Sequence, residues 1–215
     1  MKRNGMLLCF VGPSGGGKTT YANRLLKDDS NFSFSVSLTT RPPRDGERNG
    51  ESYEFVSRDV FMQAVKNNEL FEWEEVHGNC YGTRLSSVEN ALKAGRDLLL
   101  DIDIKGAFSF KRGFPQHTVV VFLTPPSADV LKERLKARAA ISEEEFLKRL
   151  NTAQGEFASL LEAQKGDGAF SGMVDYFLIN NSLDETYQQI LSIVTAERCK
   201  LKRLDRCALE NICKI

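Results

Sequence analysis

Eight residues near the start of the chain, Gly12-Pro13-Ser14-Gly15-Gly16-Gly17-Lys18-Thr19, carry the spacing G-x-x-x-x-G-K-[ST]. Glycines at this density let successive backbone N–H groups turn inward around a phosphate. A helix starting directly after them adds its unpaired N–H groups and the positive end of its dipole. Lys18 supplies a point charge for the β- and γ-phosphates of ATP, and the Thr19 hydroxyl is a ligand for Mg²⁺. Thr20 completes the nucleotide-binding set. A metal at this position also needs a carboxylate, and the apolar run Leu98-Leu99-Leu100 ends on Asp101, as a strand that delivers an acid to the metal would. The chemistry expected is transfer of a phosphoryl group from a nucleoside triphosphate.

Such a transfer asks the protein for alignment and for neutralisation of charge more than for covalent help. The segment from Ser127 to Gln154 is the source of extra positive charge: Arg134 and Arg138 lie four apart on one helical face, and Arg149 follows on the next helix. His77 and His117 lie in no motif that demands a general base, and none is assigned to them.

The residues after the loop speak to the acceptor. Ser35-Val36-Ser37-Leu38-Thr39-Thr40-Arg41-Pro42-Pro43-Arg44-Asp45-Gly46-Glu47 is followed by Tyr53, by Phe71-Glu72-Trp73, by Gly78-Asn79-Cys80-Tyr81-Gly82-Thr83 and by Leu100-Asp101-Ile102-Asp103-Ile104-Lys105-Gly106. Over about residues 5–195 these motifs, in this order, resemble the guanylate kinase family. The resemblance implies that Arg41, Arg44, Tyr53 and Tyr81 hold the phosphate of GMP. Planar guanidinium forks and phenolic O–H groups suit a dianion. It implies that Glu72 and Asp103 meet the N1–H and 2-amino donors of guanine, and that Ser37 and Thr83 meet O6. Adenine lacks those donors and would leave buried acids unpaired. It further implies a lid closing Arg134, Arg138 and Arg149 over the phosphates, with Lys18 and Arg41 completing the catalytic set, and Asn180 near the adenine of ATP.

The chain departs from the family pattern at Ala139-Ala140, where Gly-Thr is usual; this bears on the lid hinge. Gly16 and Thr19 replace a frequent Ala and Ser, and Cys80 a frequent Tyr, with the chemistry kept. Asn181 is an adjacent alternative to Asn180. The activity implied is ATP:GMP phosphotransfer, extending to dGMP, in purine nucleotide metabolism. Two other readings use the same residues. A guanylate-kinase-like binding module would typically have a damaged ATP loop, whereas Lys18, Thr19 and Asp101 are all present. Another P-loop kinase would act on a different small acceptor.

These residues must be positioned by strands and helices. Met6–Val11 reads as a strand buried on both faces, and Tyr21, Ala22, Leu25 and Leu26 place a helix behind the loop. Ser33–Thr39 reads as one strand, Thr40–Glu51 as a loop, and Tyr53–Val56, Phe71–Val76 and Cys80–Thr83 as short strands of an antiparallel insertion. A helix starting near Ser57 carries Phe61–Val65. Val88–Ala94 forms a helix ended by Gly95, and Leu98–Ile102, Val119–Leu123 and Met173–Ile179 are further buried strands. Ser127, Ser142 with Glu145, and Ser182 with Glu185 open helices. Lys165–Gly172 reads as a glycine-rich loop.

The fold class expected is α/β. A P-loop NTPase-type parallel sheet is flanked by helices and carries a small mixed α/β GMP-binding insertion and a helical lid. The whole chain, 1–215, forms one domain: core about 1–34, 85–125 and 156–215; GMP-binding region about 35–84; lid about 126–155. Twenty-nine basic and 29 acidic residues give no net charge, which argues against bulk electrostatic binding to nucleic acid or membrane. Five cysteines without C-x-x-C spacing suggest neither a disulfide framework nor zinc. The first apolar run is too short for a signal peptide or a membrane span, so a cytoplasmic enzyme, monomer or homodimer, is expected. At the C-terminal end, Leu201, Leu204, Ala208 and Ile212 repeat at helical steps. There the helix after Ser182 is expected to run on, presenting Arg198, Lys200, Lys202, Arg203 and Arg206 as a solvated basic face.

Overall fold

Alternate side chains of Leu7–Val11 (β1) enter two different cores. Leu8 and Phe10 pack with Tyr21 and Leu25 of Lys18–Asp28 (α1) and with Tyr187, Ile190 and Val194 of Leu183–Arg198 (α7). Leu7, Cys9 and Val11 pack with Val88 and Leu92 of Leu85–Lys93 (α3), and with Ile104, Phe108 and Phe110 of Ile104–Gly113 (α4). That is why the run is apolar throughout: a strand covered by helices on both faces has no solvent side. The structure, a computed structural model, describes residues 3–51, 53–76, 78–100, 102–137, 142–165 and 171–213. His77, Asp101, Arg138, Ala139-Ala140 and most of the expected loop at 165–172 lie outside the described residues.

The central sheet has five strands, all parallel, in the order Phe32–Phe34 (β2), Asp97–Leu100 (β7), β1, Thr118–Thr124 (β8), Tyr176–Ile179 (β9). Beside it stands a second sheet of four strands, in the order Glu54–Phe55 (β4), Leu38–Thr39 (β3), Asn79–Arg84 (β6), Leu70–Val76 (β5). It is mixed rather than antiparallel, because β3 pairs β4 in parallel and β6 antiparallel. The helix Arg58–Lys66 (α2), N-capped by Ser57, covers it through Phe61 and Ala64. Helices Ala128–Ala137 (α5) and Glu143–Lys165 (α6) pack together through Leu131, Leu135, Ala153 and Phe157.

Three expectations change. The single strand at Ser33–Thr39 is two: β2 ends the central sheet and β3 begins the second, so the chain changes sheets between Phe34 and Leu38. A helix stands at α4, where none was anticipated; Asp103 caps it by accepting from Gly106 N at 2.7 Å. The helix after Ser182 stops at Arg198, and a 3₁₀ turn (Leu201–Arg203) and a short helix (Arg206–Cys213, α8) follow.

The basic run is a solvated face only in part: Lys202 and Arg206 are exposed, whereas Arg198 and Arg203 turn inward. Arg203 is 0% exposed and Glu197 1%, and the two are paired at 2.9 Å. Arg203 donates as well to His117 O at 3.1 Å, and its own carbonyl accepts from Asn4 N at 2.7 Å. Arg198 binds Asp29 and the fully buried Asp97, each at 2.7 Å. The C-terminal segment therefore clamps the edge of the sheet at which β1 and β8 begin. Burial alone would raise the Glu197 carboxyl. Hydrogen bonds from Lys200, Tyr176 and Arg203 outweigh it and hold the group down at about 2.

Two outcomes follow from this clamp. Arg203→Ala leaves a buried carboxylate short of its buried cation and should cost about 3–5 kcal/mol in urea unfolding. The folded carboxyl lies below the ordinary value of 4.5, so its contribution is present above that pH and lost as pH falls from there toward 2. Acid unfolding of Glu197→Gln should accordingly be shallower than that of the wild type over this window.

Candidate active site

The Gly12–Thr19 loop sits at the C-terminal end of β1, against the ends of its neighbours. Gly12 has φ +116°, and a Cβ there would fall 2.3 Å from Leu123 O; at Gly17, φ +102°, it would fall 2.4 Å from Asn180 Nδ2. Only glycine fits either place. Gly17 is also the N-cap of α1 and has no side chain to offer the first-turn N–H groups, so these remain for an anion. The Lys18 ammonium reaches back across the loop to the carbonyl oxygens of Gly12 and Pro13. That brings the cation over the concavity the loop encloses.

Two hollows meet at Lys18. The smaller, about 220 Å³, is lined by Gly15, Gly17, Lys18, Thr19, Thr20 and Arg134. Arg134 reaches it from α5, donating to Asn180 O at 3.1 Å and lying 3.5 Å from Gly15 O. The larger, about 630 Å³, runs from Gly12, Ser14 and Lys18 to Ser37, Tyr53, Glu72, Tyr81 and Asp103. Five of the eight residues expected to hold GMP are thus gathered into one cavity, while Arg41, Arg44 and Thr83 do not line it.

At its far end, Glu72 on β5 stands opposite Thr83 on β6, whose hydroxyl donates to Glu72 Oε1 at 2.8 Å. Thr83 was expected to meet the substrate directly; its hydroxyl hydrogen instead holds the acid. Burial raises the Glu72 carboxyl; the Thr83 hydrogen bond opposes this, while the charges of Glu74 and Asp103 add to it. Asp103 faces the cavity as the cap of α4, with Oδ1 committed to Gly106 N. Tyr53 and Tyr81 meet edge to face, ring centres 6.1 Å apart. Arg41 lies over Tyr53 at 5.4 Å, and Glu47 grips its fork with two hydrogen bonds, 2.8 and 3.0 Å long. Glu47 also accepts from Arg44 N at 2.7 Å, so one acid shapes the whole arginine loop, while Arg44 itself is exposed.

Two expected residues are placed otherwise. Asn180 is buried beneath the loop instead of facing a base. Its Nδ2 donates to Gly16 O at 2.9 Å and its Oδ1 accepts from Tyr21 OH at 2.6 Å, so the amide braces the loop. Arg149 is paired with Glu145 along α6 at 2.9 Å and lines neither hollow. Sequence reasoning missed Glu47, an acid among loop arginines. It also missed Thr152 and Glu156 of α6, which line the larger cavity and belong to no phosphate or base motif. His117 bonds Gly5 O at 3.1 Å, a structural role. Among the described residues no group of three or more His, Cys, Asp or Glu could hold a metal, and no helix is long and apolar enough to cross a membrane.

Comparison with known proteins agrees with this geometry. The family model described as guanylate kinase matches residues 4–197. The chain is 39% identical to the guanylate kinase of Geobacter sulfurreducens, over 95% of each protein. It is 38% identical to that of Thermotoga maritima, over 93% of this chain and 90% of the relative. The crystal structure of guanylate kinase from Anaplasma phagocytophilum superposes with a TM-score of 0.69 at 33% identity, covering 94% of this chain and 91% of that one.

The raised Glu72 carboxyl makes a test possible. Donors of a purine favour its ionised form, so binding strengthens as pH rises through the raised value and weakens as pH falls through it. Titrated with guanosine, which has no phosphate of its own to ionise, the wild type should bind more weakly, and release a proton on binding, as pH falls through the raised Glu72 value. Glu72→Gln should abolish that dependence. Thr83→Val should weaken guanosine binding about tenfold, because it removes the donor that holds the acid.

Proposed function

The chain belongs to the guanylate kinase family and is an ATP:GMP phosphotransferase, and from that premise we propose which of its residues carry out the transfer. The observation that carries the proposal is the single cavity joining Lys18 to Glu72 and Asp103. The base of GMP sits at the Glu72–Thr83 end, with N1–H and the 2-amino group on Glu72 and Asp103 and with Ser37 toward O6. Its phosphate lies among Tyr53, Tyr81, Arg41 and Arg44, directed at the loop. The triphosphate of ATP occupies the concavity of Gly12–Thr20, with Lys18 and Arg134 on the transferring group.

An in-line transfer of this kind passes through a loosely bonded phosphoryl group whose charge spreads over three oxygens. Fixed N–H groups, Lys18 and arginines neutralise that charge without reorganising. Two carboxyl-bearing positions at the base end align the acceptor so that its phosphate oxygen meets the γ-phosphorus. Arg149 and Arg138 complete the lid over about residues 126–155.

Mg²⁺ fits the donor set, since the Thr19 hydroxyl lines the smaller hollow at the start of α1 and an all-oxygen site with phosphate ligands suits that ion. Thr19 and Asp101 would hold it, and when bound it draws charge from the β- and γ-phosphates. The likeness to bacterial relatives and the lack, among the described residues, of a helix able to span a membrane support a place in the cytoplasm. The likeness to bacterial guanylate kinases also supports a part in purine nucleotide recycling, and the reading extends to use of dGMP by a monomer or homodimer.

Purified protein given ATP, Mg²⁺ and GMP should form ADP and GDP. AMP should be used at least about a thousandfold less well, because it would leave buried acceptors unpaired. Lys18→Ala should lower kcat by about a hundredfold or more while GMP still binds. Equal turnover of AMP, or a Lys18→Ala enzyme as fast as the wild type, would overturn the assignment.

A further inference from the structure

The larger cavity contains an acceptor that the transfer just described does not use. Glu156 lines it from α6, and its Oε2 is buried with no hydrogen-bond partner among the described residues. A buried carboxylate oxygen left in this way costs stability unless a ligand supplies the donor. Its placement follows from the helix: Glu145, Arg149, Thr152 and Glu156 fall four, three and four residues apart and so share one face. The last two face the cavity, while Ala153, Phe157 and Leu160 pack into the cores. Glu156 therefore shares the cavity with Lys18, at the phosphate end, and Asp103, at the base end. These are the two charges that act on it, Lys18 stabilising the carboxylate and Asp103 opposing it, after the larger effect of burial, which raises it.

The substrates limit what could satisfy that oxygen. Phosphates in transfer present acceptors, not donors. The N–H donors of guanine already have Glu72 and Asp103. The remaining donors carried into the middle of the cavity are the hydroxyls of the acceptor's sugar. Resting on the GMP reading above, we propose that Glu156 accepts a hydrogen bond from a ribose hydroxyl of the acceptor nucleotide and sets the sugar specificity of the site. A carboxylate suits this place: it bonds a hydroxyl strongly and repels phosphate, which keeps phosphate at the Lys18 end. It holds the sugar at mid-cavity, and so fixes the distance between base and phosphate.

The test is calorimetric titration of wild type, Glu156→Ala and Glu156→Gln with GMP, 2′-deoxy-GMP, 3′-deoxy-GMP and IMP. The wild type should bind one of the two deoxy forms about tenfold or more weakly than GMP. In Glu156→Ala, GMP should fall to the level of that deoxy form, and Glu156→Gln should restore part of the gap. The melting temperature of Glu156→Ala should stay at or above that of the wild type, since an unpartnered buried carboxylate has been removed. The proposal is overturned if the wild type shows no gap, or if the gap persists in Glu156→Ala. It is equally overturned if that variant loses only the preference for GMP over IMP, which would place Glu156 on the 2-amino group. A change in the Mg²⁺ dependence of ATP binding with the sugar gap intact would assign the carboxylate to the metal's water instead. A wild type that binds none of the four nucleotides would overturn the GMP reading itself, an outcome distinct from every other.

Discussion

The close approach of the Gly12–Gly17 backbone to the ends of β8 and β9 is the constraint on which the site rests. A loop that wraps a phosphate must be fixed before the phosphate arrives, and this one is fixed by contacts that leave no room for a Cβ at Gly12, Gly16 or Gly17. Asn180 is the centre of that arrangement. Its side chain joins Gly16 to Tyr21 of α1, its backbone N–H bonds Thr124 O at 2.7 Å, and its carbonyl accepts from Arg134 of α5. One buried amide thereby ties the loop, the helix that follows it, the sheet and the arginine-bearing helix. A buried amide held by several hydrogen bonds is rigid, and rigidity is what electrostatic preorganisation requires.

The second sheet solves a different problem. The base end of the cavity needs ionised or ionisable acids in a half-buried place, which costs free energy unless each is held. The antiparallel register does this by setting Glu72 across from Thr83, so that the hydroxyl holds one oxygen. Capping does it for Asp103, whose Oδ1 is spent on α4. In both cases one carboxylate oxygen is anchored by the fold. The clamp at the opposite edge, Glu197 with Arg203 and Asp97 with Arg198, applies the same rule without any ligand: the buried charges there are paired within the chain.

The loop and the acids were legible in the sequence because glycine spacing, apolar runs and capping boxes are local signals, and each survives translation into structure: β1, α1 and the caps at Ser57, Ser142 and Ser182 stand where those signals lie. What escaped was a masked local signal or a non-local contact. The α4 stripe Ile104, Ala107, Phe108 has helical spacing, but Gly106 and the run of aromatics around it mask the period. Nothing near Ser35 signals that the chain changes sheets. Arg198 and Arg203 look solvated because their partners, Asp97 and Glu197, are set by the fold: one is a hundred residues away, and the other is reached only because the chain turns sharply after α7. Asn180 was noticed from its place in the sequence, but only the packing shows that its amide points under the loop.

Four of the cations proposed to meet phosphate share a feature that bears on how binding works. Arg41 is held by Glu47, Arg149 by Glu145, Arg134 by two backbone carbonyls, and Lys18 by the carbonyls of its own loop. With no net charge on the chain, long-range attraction has little to offer an incoming nucleotide. Substrate therefore recruits these groups by exchange: a phosphate oxygen takes the place of a carboxylate or carbonyl that already oriented the cation. The desolvation of each guanidinium or ammonium has been met in folding, and its rotamer freedom has largely been spent there too, so less of either is charged to binding. Exchange also favours a dianion over a neutral ligand, because only charge competes well with the resident acid. The fold thus makes the site selective for phosphate by keeping its positive charges occupied.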